Sequence, residues 1–139
     1  MKSFSASSVT KATPKQVWKA WTDLPAWPKH DPSLDWLHID IFAEGARGKI
    51  KPKKDPVSNI IIENVINGQA FSIRTPLPLC VMETHHDIKP LANGKTQLEF
   101  TIEFSGLLSG FFYMVIGKGI QKSTKSNMKT LGELARTEY

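Results

Sequence analysis

Apolar positions along this chain recur with two different periods, and the change from one to the other divides it. Val17, Ala20, Trp21 and Leu24 fall at i, i+3, i+4 and i+7, which is one face of an α-helix. Thr13 ahead of them is a natural N-cap, Pro14 suits the first helical position, and Gln16 completes a Thr-x-x-Gln capping box. A helix is therefore expected from about Pro14 to Asp23. Pro25, Pro28 and Pro32 forbid a long continuation and imply a short helical turn and a loop over 24–34. From there the period becomes two. Leu37, Ile39 and Ile41 alternate with Trp36, His38 and Asp40, the pattern of a half-buried strand. Gly45 and Gly48 bracket a turn into a strand around 48–54, and Asn59 to Ile66 is dense in β-branched residues. Asn67-Gly68 is a favoured dipeptide for a two-residue hairpin into Phe71-Ser72-Ile73. Pro76 and Pro78 are expected to interrupt the ladder before a further strand at roughly 80–89. After a turn at Asn93-Gly94, Leu98, Phe100, Ile102 and Phe104 alternate with Gln97, Glu99, Thr101 and Glu103, so one face is core and the other water.

The last third returns to the helical period. Counting about 100° per residue from Lys118, the side chains of Lys118, Lys122, Lys125 and Lys129 form one stripe. Ile116, Ile120, Asn127, Leu131 and Leu134 cluster on the opposite side, with Tyr113 beside them. A helix begun near Ser109 would run roughly 40 Å at 1.5 Å per residue. A sheet of six or seven strands is roughly 25–30 Å wide. Such a helix can cross the whole of it.

Length and composition narrow the classes. The 139 residues suit one domain, 1–139, with a single core. With 40% hydrophobic and 22% charged residues, wholesale disorder is excluded. The longest apolar run, Phe111 to Ile116, is far short of a membrane span, and Met1 to Ser5 lacks the apolar stretch of a signal peptide. Cys80 is the only cysteine, so no internal disulfide forms and a reducing cytoplasm is the economical expectation. The net charge of +5 permits attraction to nucleic acid or anionic lipid. Lys49, Lys51 and Lys53 would share one face of a strand, and both they and the helical stripe read as solvated surface. No RNA-reading aromatic motif, zinc module or basic recognition helix is present, which disfavours nucleic acid as a partner.

Thr13-Pro14-Lys15-Gln16-Val17-Trp18-Lys19-Ala20-Trp21-Thr22-Asp23, followed by Trp27-Pro28, resembles the opening of the polyketide cyclase/dehydrase-like branch of the START/birch-pollen-allergen (SRPBCC) superfamily. Gly45-x-x-Gly48, the hairpin Asn93-Gly94-Lys95-Thr96 and the terminal Leu131-x-x-Leu134 fit the same pattern. The family often carries a tryptophan three residues after the first aromatic; here that position is His30. The resemblance implies an α+β helix-grip fold: a curved six- or seven-stranded antiparallel sheet around a long C-terminal helix, with two short helices near the N-terminus. It also implies a cavity between sheet and helix, which in the superfamily holds sterols, lipids, polyketides or other apolar molecules.

On that reading the candidate ligand-binding residues are Phe71, Ile73, His86, Phe100, Tyr113, Ile116, Ile120 and Asn127. Most would supply shape and desolvation, and His86 and Asn127 polar anchoring. The same apolar stripes would equally pack together as a filled core. Asn127, in the middle of the apolar helix face, must hydrogen-bond to a ligand, a strand or a trapped water. His85 and His86 are neighbours on a strand and face opposite ways, so they do not share a metal. Parity with Ile88 sends His86 inward and leaves His85 in solvent beside Glu83. If the chain is an enzyme, His86 is its general acid–base group. No metal or cofactor is expected: a zinc spacing is lacking, as is a Gly-x-Ser-x-Gly elbow, and Gly117-Lys118-Gly119 is not a phosphate loop. Those glycines are expected to loosen the helix instead. Phe111 and Val115 fall nearer the lysine side than the core side, which suits peripheral contact with an anionic bilayer or a donor protein unless neighbouring loops cover them. The expected function is binding of a hydrophobic or amphipathic small molecule. The alternatives are a cyclase or dehydratase using the same cavity, and a regulatory or membrane-docking module.

Overall fold

In the computed structural model, which describes residues 2–139, the period-two segments pair into one seven-stranded antiparallel sheet. The elements run β1 (Lys2–Thr10), α1 (Pro14–Trp21), a 3₁₀ helix (Leu24–Lys29), β2 (Leu34–Ile39), β3 (Arg47–Pro52), β4 (Ser58–Ile66), β5 (Ala70–Leu77), β6 (Cys80–Pro90) and β7 (Thr96–Ser105). The spatial order is β1-β7-β6-β5-β4-β3-β2, so β2 to β7 form a meander and the first strand returns beside the last. The chain closes with α2 (Ser109–Phe112), a π-helical turn (Tyr113–Gly117) and α3 (Lys118–Glu138). A curved sheet gripping a long C-terminal helix, with short helices after the first strand, is the helix-grip fold.

Local chemistry sets the ends that matter. Thr13 Oγ1 accepts from the Gln16 N–H at 3.1 Å while Gln16 Oε1 accepts from the Thr13 N–H at 2.8 Å, so the capping box starts α1 as its sequence demands. The indole N–H of Trp27 donates to the Trp21 carbonyl at 3.0 Å and folds the 3₁₀ helix back on α1. At the C-terminus the Tyr139 hydroxyl donates to Asp23 Oδ2 at 2.6 Å. Burial and this carboxylate push the phenol up to about 12. Gly132 lets α3 cross β1 closely, because a Cβ there would lie 2.8 Å from the Thr10 side chain. The core between helices and sheet is built on Val17, Leu24, Ile60, Ile62, Leu98 and Leu131.

Four expectations are corrected. Ile41 is exposed, because β2 ends at Ile39 and the chain leaves the ladder. The β4–β5 hairpin has three loop residues, since Ile66 pairs with Ala70 after a bulge between Glu63 and Ile66 shifts the register. Pro76 lies inside β5, opposite Val81 of β6. It is tolerated there because the β4 pairing stops at Arg74, so no acceptor on that side waits for its missing N–H. Lys53 lies beyond the end of β3 and leaves the face shared by Lys49 and Lys51. Gly117 ends the π turn that interrupts the closing helix, and it is buried: a Cβ there would meet Phe104 at 3.0 Å, so its smallness also seats the helix on β7.

Candidate functional site

The core stops being filled where inward positions become small or polar. On β6 the inward set is Met82, Thr84 and His86; on β5 it is Ile73, Thr75 and Leu77; α3 faces them with Ile120, Thr124 and Asn127. Threonines at three of these nine positions leave space that leucine or phenylalanine would have taken, and a cavity of about 620 Å³ remains between sheet and helix. Two of the three threonine hydroxyls bond back to the main chain, Thr124 to the Ile120 carbonyl at 2.5 Å. Thr84 donates to the Ile73 carbonyl at 3.4 Å, and Ser123, also on the lining, donates to the Gly119 carbonyl at 3.2 Å.

His86 is the most deeply held polar group of this cavity, at 1% exposure. Its ring stacks on Phe71 with centroids 4.3 Å apart and planes 5° from parallel. Trp21 at 5.0 Å, Trp27 at 5.6 Å and Phe100 at 5.4 Å complete an aromatic cage. Nδ1 lies 3.3 Å from the Phe71 carbonyl, which can only accept, so Nδ1 carries the proton. Nε2 is then an acceptor, and it makes no hydrogen bond among the described residues. Burial lowers the His86 pKa to about 3 against the opposing hydrogen bond to the Phe71 carbonyl, with smaller downward contributions from His85 and His30. His30 also lines the cavity, and burial takes it to about 4 against the opposing pull of Asp31. The Asn127 amide, oriented as its neighbours require, donates to the carbonyls of His30 at 3.0 Å and Ser123 at 3.3 Å and keeps its oxygen as an acceptor. Near pH 7 both imidazoles and the amide are therefore uncharged, and the charged side chains of the lining, Asp31, Lys53, Lys54 and Asp55, stand at its solvent-exposed rim.

A family profile described as "Polyketide cyclase / dehydrase and lipid transport" matches residues 1–136. The chain belongs to this family. No curated protein matches it in sequence. Among solved structures it is similar to the Zhui aromatase/cyclase from a Streptomyces species, at TM-score 0.75 and 12% identity over 96% of this chain and 93% of that one. It is also similar to a truncated norcoclaurine synthase from Thalictrum flavum, at TM-score 0.74 and 12% identity over 99% and 94%. A hypothetical protein from Helicobacter pylori aligns at TM-score 0.79 and 11% identity over 97% and 88%. These likenesses show the shared fold.

Within this family member, Ile73, His86, Phe100, Ile116, Ile120 and Asn127 lie together on the cavity wall. Phe71 and Tyr113 do not. Phe71 has the inward parity of Ile73, but it lies under Trp18, Trp21 and Phe42 with His86 stacked on it, and is consumed by the core. Tyr113 begins the π turn, and its ring meets the edge of Phe104 at 6.1 Å. A count of 100° per residue fails across a π turn, which holds an extra residue. Trp21, Trp27, His30, Met82, Thr84 and Thr124 belong to the lining without having been singled out for it. Met82 and Thr84 share the parity of His86, and Thr124 lies one turn beyond Ile120, so periodicity was available to find those three. His85 sits on the outer face as its parity requires, with Nε2 2.7 Å from Glu103 Oε1 and closer to it than to Glu83, and Nδ1 2.7 Å from Ser72 Oγ. Cys80 is buried, and burial raises its thiol pKa. Among the described residues no three His, Cys, Asp or Glu side chains are grouped to hold a metal.

Proposed function

We propose that this family member binds a hydrophobic or amphipathic small molecule, a lipid, polyketide or similar compound, in the cavity between sheet and helix. The observation that carries the reading is a cavity of about 620 Å³, walled mainly by apolar side chains, with a few uncharged polar groups turned into it. The apolar wall favours an apolar body. The acceptors His86 Nε2 and Asn127 Oδ1 favour a hydroxyl or amide donor on it, and a carboxylate has no cation beside His86 to compensate its burial. Acidic headgroups are better met at the rim, by Lys53 and Lys54. The single cysteine supports a reducing compartment such as the cytoplasm as the place of action.

Catalysis is the second reading, because the fold is shared with proteins named as an aromatase/cyclase and a norcoclaurine synthase. His86 would be the proton-transfer group. Its pKa near 3 argues for a hydrogen-bond acceptor instead, since a general base works best with a pKa close to the working pH.

Thr84→Trp tests the binding reading by filling the cavity from the middle of β6. Titration with a fluorescent apolar probe should show affinity falling by about ten-fold or more, with the melting temperature held within a few degrees. Native mass spectrometry of the purified wild type, under gentle and then denaturing conditions, should release an apolar compound that the variant lacks. Equal probe affinity in wild type and variant would mean that the cavity is not the binding site.

A further inference from the structure

The closing helix begins in apolar surface that nothing among the described residues covers. Leu107 is 87% exposed, and Phe111, Met114 and Val115 follow it, all well exposed. Exposed Leu79 from the β5–β6 turn joins them, because the Leu108 N–H donates to the Leu79 carbonyl at 3.0 Å and clips the two segments together. Val115 also lines the cavity, so this surface runs into the cavity wall. Its charge is one-sided. No Asp or Glu occurs from Phe104 to Gly132, while Lys118, Lys122, Lys125 and Lys129 are all exposed on the helix that continues from the patch. On the β3–β4 side, Lys53 and Lys54 outnumber Asp55.

Apolar side chains at a tip, with lysines starting one helical turn behind them, match the layering of a bilayer surface: hydrocarbon first, then acidic headgroups. We propose that the β5–β6 turn, residues 106–108 and the start of the closing helix dock on an anionic lipid membrane, so that the cavity wall at Val115 meets the lipid. A second copy of the chain is a poorer occupant, since a two-fold contact through this face would bring two sets of like-charged lysines together. Docking here is peripheral: among the described residues no helix is long and apolar enough to cross a membrane. It rests on the surface alone and stands or falls independently of cavity binding.

Co-sedimentation with phosphatidylcholine vesicles, with and without about one-third phosphatidylglycerol, tests it. The protein should bind the anionic vesicles, release them as salt is raised, and bind the neutral ones weakly. Phe111→Glu with Met114→Glu, and separately Lys118→Glu with Lys122→Glu, should each weaken vesicle binding by about ten-fold or more. All four side chains are exposed, so melting temperatures and apolar-probe affinity without vesicles should stay at wild-type values. Equal binding to both vesicle types, no binding to either, or variants that bind like wild type would each overturn the proposal. So would a wild-type dimer, seen by sedimentation velocity, that the Phe111→Glu, Met114→Glu pair dissociates.

Discussion

Lowering the pH from 7 to 5 should destabilise the folded protein by about 4 kcal/mol, roughly 2 for each of two histidines. His86 and His30 are held neutral by burial, with pKa values near 3 and 4 against the ordinary 6.5. Above about 6.5 neither the folded nor the unfolded chain protonates them, and their neutral burial is unopposed. As the pH falls below that value the unfolded chain takes up two protons that the folded chain refuses, so the equilibrium moves toward unfolding. The loss continues until the folded pKa values are reached, near 4 for His30 and near 3 for His86. Asp31 moderates the His30 share by drawing its pKa upward, and the Phe71 carbonyl does the same for His86 against the downward pull of His85 and His30. Urea unfolding followed by circular dichroism at pH 7, 6 and 5 measures the slope, and His86→Gln should remove about half of it. A stability that stays flat over this range would show that the two imidazoles are not buried in neutral form.

Phe71→Ala should cost about 3–5 kcal/mol, a large part of the roughly 5–15 kcal/mol that holds a domain of this size together. The side chain is 1% exposed and is surrounded edge-on by Trp18, Trp21 and Phe42, with the His86 ring flat against it. Truncation removes its transfer free energy and leaves a hole that four large rings cannot collapse into. The Phe71 carbonyl that fixes the His86 tautomer belongs to the backbone and survives the change. Ligand affinity of the folded fraction should therefore move much less than in Thr84→Trp. A shifted urea midpoint with near-normal probe binding is the expected pair of results. A folded Phe71→Ala protein that no longer binds the probe would return Phe71 to the cavity wall.

Much of the fold is legible in the sequence. The capping box at Thr13 and Gln16, the alternation of Leu98, Ile102 and Phe104, and the opposite facings of His85 and His86 are local facts, because backbone geometry alone turns neighbouring side chains to known sides. Six of the eight candidate site residues stand on the cavity wall for the same reason. The other two stand elsewhere, Phe71 for a tertiary reason and Tyr113 for a local one. Phe71 and Ile73 share a face of β5, but α1 covers one while open space lies before the other. Tyr113 was set by a helical count that a π turn breaks. His30 stood out only as a departure from the family pattern, yet it lines the cavity and its carbonyl holds Asn127.

By itself, then, the sequence determined the facing of most strand residues, where the helices start, and that the closing helix is long enough to cross the sheet. The tertiary structure alone decided that sheet and helix stand far enough apart at Thr75, Thr84 and Thr124 to leave a cavity, and that Phe111 and Val115 stay uncovered beside it. Periodicity reports the direction of a side chain, whereas a cavity is a distance between two elements, set by every other contact that holds them apart.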